Sequence, residues 1–251
     1  MNLKKYKVCI VSYAKYMENK PIGHIIDKYD KVVRINNGVN ITDKKCFGSK
    51  NDIFSSSFSD NKLTMIVNTY NHLNNTNFKR VYNVINDLKI ENVLINHDNP
   101  DFFNVIKKNC KQFNLNLLFD PKKNLKLPIT SGLQAIIQIL YLKPKELFIC
   151  GFDFTMYFHK DYEKFYRMFK SEKADRLNKT YDEQNIDHST NFEKYILKKL
   201  WKKYNFKVDE FLEEILKKYE IKDKDNIILT QRNVNIKYID AYNQIIKLLD
   251  S

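Results

Sequence analysis

Thr130, Ser131 and Gly132 stand together in the run Pro128-Ile129-Thr130-Ser131-Gly132, directly before a long apolar stretch. Two hydroxyls and a glycine at the mouth of a helix are the ingredients of an anion site. The first-turn N–H groups lack intrahelical partners, the dipole there is positive, and hydroxyls add donors. The same residues also make an ordinary Ser/Thr N-cap. In the run "DKYDKVVRINNG", Arg34 and the pair Asn36-Asn37 interrupt a buried strand and end it at Gly38. Asparagine at the carboxyl end of a strand offers a donor and an acceptor to a nucleotide or sugar. Asn-Asn-Gly is equally good turn chemistry. The run "FGSKNDIFSSSFSD" sets Gly48 before a strand and serines, Ser56 among them, after it. It reads as a hydroxyl-lined wall or as a plain polar loop. His188 precedes a helix that starts at Ser189 or Thr190 and carries Glu193 in its first turns. A histidine titrating near neutrality is a natural general base for a hydroxyl. A lone histidine is also often a plain surface or core residue.

These side chains need elements to hold them. "KYKVCIVSY", "KVVRINN", "NDIFSSS", "LTMIVNT" (63–69), "NVLINH", "LNLLFD" and "ELFICGFDFT" read as short apolar strands. Helical patterns separate them, beginning with loop then helix over 14–29. A helix at 131–142 has a nearly all-apolar surface and is expected to be buried. Short apolar strands alternating with helices predict an α/β fold with a mostly parallel sheet flanked by helices. Residues 156–187, rich in Tyr, Lys and Asp with little periodicity, read as a lid. Helices resume at 190–204 and 208–219, and "NIILTQ" and "YIDAYNQIIKLLD" close the chain as a strand and a helix.

The chain of 251 residues suits a single domain over 1–251, with the lid and a C-terminal helical region, 188–251, inside it. Hydrophobic residues make up 43%, with 17 Phe and 16 Tyr, enough for a sizeable core. No apolar run reaches the roughly 20 residues of a membrane span. The start "MNLKKYKVCIVSYA" lacks a small-residue cleavage site and reads as a first strand. Cys9, Cys46, Cys110 and Cys150 are widely spaced, which speaks for reduced thiols and a cytoplasmic setting and against zinc or iron–sulfur sites. The net charge of +13 admits nucleic acid, an anionic membrane surface or an anionic substrate as partner. No helix-turn-helix, zinc-finger or RNA-recognition signature supports the first. The basic run "KKLWKKY" with Trp201 could rest on the inner face of a membrane or form a solvated helix face. Only five residues are glycine, and all five fall in or beside the runs quoted above or the segment 14–29.

The order and spacing of these runs resemble the sialyltransferases, both the animal Golgi family and the smaller bacterial enzymes. Those families carry a first motif like "IDxxDxVVRxN" followed by a "GSK" element. Here it is "IDKYDKVVRINNGVNITDKKCFGSKNDIF", residues 26–54. Their second motif is Ser/Thr-Ser/Thr-Gly, an apolar helix and a strand ending "GF" or "GxDF", here within residues 127–155. Their last motif is a His followed five positions later by Glu, here His188 and Glu193. The likeness spans roughly residues 5–205. The chain departs from the pattern at Ser12-Tyr13-Ala14, where the families place Gly-Asn. It departs again at Leu127-Pro128, where bacterial relatives place Arg, and near Ser56, where an Asn is usual.

The resemblance implies a Rossmann-like (GT-A variant) fold. It also implies inverting, metal-independent transfer of a sugar from a cytidine-monophosphate donor to a hydroxyl of a glycan or glycolipid. His188 would be the base, with His159 as the alternative. Tyr157 and Tyr162 would stabilise the departing phosphate. Ser12, Asn36, Ser56, Thr130, Ser131, Gly132 and Asp153 would hold the donor, and Glu193 and Arg34 would support them. Gly132 would let the backbone approach the donor. No cofactor beyond the donor substrate is expected. The donor sugar, most simply sialic acid, is left open to another nonulosonic or ulosonic acid, and homo-oligomer formation is left open as well.

Overall fold

The computed structural model describes residues 2–40, 42–56, 86–96, 107–108, 110–112, 114–154, 190–220, 228–231 and 234–251. Their centre is a seven-stranded sheet of β1 (Lys7–Val11), β2 (Lys31–Ile35), β3 (Ile53–Ser56), β4 (Asn92–Ile95), β5 (Asn116–Leu117), β6 (Glu146–Cys150) and β7 (Lys207–Val208). The order is β5-β4-β3-β2-β1-β6-β7, and every neighbouring pair is parallel. Parallel strands covered on both faces read as continuous Val/Ile/Leu runs, and β1 (KVCIV) and β2 (KVVRI) do so.

Alternation sends successive side chains to opposite faces. Val8, Ile10, Val33, Ile35, Leu147 and Ile149 join one apolar cluster, while Cys9, Val11, Val32, Phe148 and Cys150 join another. The second face is covered by a 3-10 segment at Lys15–Asn19 and the single helical turns α1 (Gly23–Ile26) and α2 (Lys44–Phe47). Met17, Ile26 and Phe47 plug it. The expected helix within 14–29 is thus the 3-10 segment and the single turn α1.

The first face is covered by α3 (Ser131–Tyr141), α4 (Thr190–Tyr204), α5 (Glu210–Lys218) and α6 (Tyr238–Leu249). α6 packs against both α3 and α4. Its cluster runs from Leu3 to Leu249, so the two ends of the described chain share one core. α3 is buried as expected, yet it carries Gln134 and Gln138 inward. β8 (Ile228–Gln231) pairs antiparallel with β9 (Val234–Lys237) just before α6. The strands β7, two residues, and β9, four residues, are too short to be read from sequence. The expected strand at 63–69 and the lid at 156–187 lie outside the described residues. Among the described residues no helix is long and apolar enough to cross a membrane.

Candidate active site

From β1 the sheet grows outward to β5, then the chain returns through α3 to place β6 on the other side of β1. In open α/β sheets a ligand crevice forms at such a reversal, outside the carboxyl ends of the strands. At this point Ser12 N–H donates to Cys150 O at 3.0 Å and Ala14 N–H to Gly151 O at 3.2 Å. Gly151 has φ +75, and a Cβ on it would lie 2.6 Å from the Ser12 carbonyl oxygen. Glycine alone lets the two strand ends run this close.

Gly151 N–H is shared between Tyr16 Oη and Asp209 Oδ2, each at 2.9 Å, and Tyr16 O–H donates to Asp209 Oδ2 at 2.5 Å. Burial, then the adjacent Asp209 carboxylate, raises the Tyr16 phenol above its ordinary value. Asp209 also N-caps α5, its Oδ1 accepting Leu212 N–H at 3.0 Å. The turn continues through buried Asp153 to Phe154, which sits at φ +58. That left-handed conformation is unusual for a bulky residue and marks stored backbone strain.

The N-terminus of α3 is organised by Thr130. Its Oγ1 accepts Leu133 N–H at 3.2 Å and donates to Glu193 Oε2 at 3.0 Å, while its N–H donates to Glu193 Oε1. Glu193 is 4% exposed, and burial, only partly offset by the Thr130 bonds, pushes its carboxyl up to about 7. The Ser131 and Gly132 N–H groups have no acceptor among the described residues. A Cβ on Gly132 would fall 2.7 Å from the Phe152 ring. The space at Gly132 therefore holds the Phe152 ring. What Gly132 offers a ligand is its N–H.

The first sequence motif builds the frame beneath. Asp27 accepts Ser49 N–H and Ser49 Oγ at 2.9 and 2.8 Å and Lys50 N–H at 3.0 Å. Partial burial raises the Asp27 pKa, but these donors outweigh it and hold the carboxyl below its ordinary value. Arg34 is 3% exposed, and its Nε donates to Lys50 O at 3.0 Å and Asn51 Oδ1 at 3.1 Å. It braces the β2–β3 connection. Asn36, next along, takes φ +47, a conformation asparagine tolerates. It is 4% exposed, and its Oδ1 has no partner among the described residues. Ser56 ends β3 and is fully buried.

Thr130 and Glu193 are therefore brought together, as are Ser12 and the Gly151 turn. Ser131, Gly132, Asn36, Ser56 and Asp153 all stand at a helix start or just at or after a strand's carboxyl end. Arg34 faces the connection below. His188, His159, Tyr157 and Tyr162 lie outside the described residues, as does the chain's Asp-x-Asp triplet, Asp223 to Asp225. Sequence reading missed three residues. Asn96 follows β4 as Asn36 follows β2, and that repeated placement was the available signal. Tyr16 and Asp209 carried none, since Asp209 meets Gly151 from 58 positions away.

All four cysteines are free and buried, with the Cys9 and Cys150 sulfurs 4.0 Å apart. Among the described residues no group of His, Cys, Asp and Glu could hold a metal ion. A cavity of about 550 Å³ opens at the opposite pole, beside Lys143, Glu146, Phe206 and Lys207. It holds none of the candidate residues, and Lys207 is already paired with Glu146 at 3.1 Å. No protein-family model and no curated protein matches the chain.

Proposed function

We propose that this chain is a sialyltransferase-like inverting glycosyltransferase that uses a cytidine-monophosphate sugar, most simply sialic acid, without a metal. The observation that carries the reading is the Glu193 carboxyl bound to Thr130. It ties the first turn of α4, five residues after His188, to the helix start that the sequence marks as an anion site. The second and last motifs of the resemblance thus meet at one place, on the carboxyl side of a parallel sheet.

In this reading the Ser131 and Gly132 N–H groups and the positive end of α3 receive the donor phosphate. Ser12 N–H is already committed to Cys150 O, so the amide contact that relatives make after the first strand falls to α3 instead. His188 takes the proton of the acceptor hydroxyl as that oxygen attacks the anomeric carbon. Cytidine monophosphate departs from the opposite face. Tyr157, Tyr162 and the α3 amides stabilise the charge gathering on its phosphate. Glu193 holds the site's geometry and does no chemistry.

Purified protein incubated with cytidine-monophosphate sialic acid, a panel of galactosides and a chelator tests this. Nucleotide release that falls by roughly 10²–10⁴-fold in His188→Ala is expected for loss of a general base. Release that persists in His188→Ala moves the base to His159. No release, together with no binding of cytidine monophosphate, overturns the donor reading.

A further inference from the structure

The carboxyl end of β4 is pinned from several directions. Ile95 O accepts from Asn124 Nδ2 and from Gln138 Nε2, both at 2.8 Å. Gln138 is itself fully buried. Asn96 N–H donates to Ser56 O at 2.8 Å. Asn96 Nδ2 donates to Ser55 Oγ at 2.8 Å and to Ser131 O at 3.1 Å. A backbone carbonyl can only accept, so the Ser131 oxygen decides which way the Asn96 amide points. The nitrogen must face α3, and Oδ1 must face away from it.

That oxygen is buried and has no hydrogen-bond partner among the described residues. A buried carbonyl left unpaired is costly, and native structures rarely keep one without reason. Asn36 Oδ1, after β2, is in the same condition. β3 lies between β2 and β4, so two inter-strand spacings set the two asparagine positions about 10 Å apart along the carboxyl edge of the sheet. Oxygens that only accept select ligand groups that donate, namely hydroxyls and amines. The open N–H groups of Ser131 and Gly132 select the anion. Surrounding a ligand contact with fixed supporting bonds is how a binding oxygen is held in place.

We propose that Asn96 is a recognition residue of this site, its Oδ1 accepting a hydrogen bond from a ribose hydroxyl or the base amino group of the bound nucleotide. The nucleoside then lies along the β2–β4 edge, with its phosphate at the start of α3. The proposal rests on the cytidine-monophosphate reading above.

Calorimetry with cytidine monophosphate, its 2′-deoxy and 3′-deoxy forms and the analogue lacking the 4-amino group tests it. Asn96→Ala should weaken cytidine monophosphate by tenfold or more. One analogue should bind the native chain about tenfold worse than cytidine monophosphate, yet bind Asn96→Ala as well as cytidine monophosphate does. That analogue identifies the donating group. Ser55→Ala removes one of the supporting bonds and leaves Oδ1 in place, so it should keep affinity within threefold and keep the discrimination. Asn96→Ser, with a circular-dichroism melt, repeats the test if the alanine variant does not fold. Unchanged affinity in a folded Asn96 variant, or analogue penalties that all persist in it, overturns the Asn96 assignment while the donor reading stands. A native chain that binds no cytidine monophosphate removes the donor reading, and this assignment falls with it.

Discussion

Glu193 is a buried carboxyl whose bonds are to the N–H and hydroxyl of Thr130. Burial lifts it from an ordinary 4.5 to about 7. The folded chain therefore binds this proton more tightly than the unfolded chain. The stabilisation is full below about 4.5 and is lost as pH rises through about 7. At 1.36 kcal/mol per unit the change is on the order of 3 kcal/mol across that window. Asp27 and Glu146, both held below their ordinary values, act in the opposite sense, but their window closes below that of Glu193. Urea midpoints measured from pH 5 to 8 should therefore fall with rising pH in the native chain. In Glu193→Gln, whose amide carries no charge to bury, the slope should nearly vanish. An unchanged slope would show that another group carries it.

The turn after β6 is held by elements far apart in the chain: the 3-10 segment through Tyr16, and α5 through its cap Asp209. The two substitutions should separate sharply. Tyr16→Phe leaves Gly151 N–H on Asp209 and should cost about 1 kcal/mol. Asp209→Ala removes the α5 cap and strands both the Gly151 N–H and the Tyr16 hydroxyl, for a loss of about 3–5 kcal/mol. Chemical denaturation of the two variants measures this. Equal losses would mean that Asp209 does not organise the turn. Tyr16 also stacks on Phe211 of α5, with ring centroids 4.0 Å apart, a contact that Tyr16→Phe retains.

For the whole molecule the open question is what the charge of +13 serves. Pairs such as Lys31–Asp52 and Lys203–Asp250 cancel internally and leave that excess untouched. Lys198 is spent on the carbonyls that close α5. A nucleic-acid-binding protein would make many phosphate contacts, and its affinity would fall by about 10³–10⁵ between 50 and 200 mM salt. A nucleotide-sugar site holds one or two phosphate charges in a crevice. Its affinity for cytidine monophosphate should change by less than about tenfold over the same range. Titrating both ligands across that range distinguishes the two uses of the charge. Duplex binding that is tight at 50 mM salt, falls that steeply by 200 mM and is unaffected by Asn96→Ala would favour the nucleic-acid reading.

The sequence by itself determined the sheet. Buried parallel strands need continuous Val/Ile/Leu runs, so β1, β2, β3, β4 and β6 were legible, as was α3 with its Thr-Ser-Gly entry. It also determined which residues stand at strand and helix ends, because glycine and asparagine punctuate them. It could not show β7, two residues long, or that Arg34 braces the β2–β3 connection through Lys50 and Asn51. Only the tertiary structure decided that Phe152 fills the space at Gly132, that Asp209 reaches Gly151, and that the Ser131 carbonyl turns the Asn96 amide oxygen away from α3. Each of these depends on a partner distant in the chain. Local propensity and periodicity register neighbours within a few residues, and a contact across the sheet leaves no mark in either.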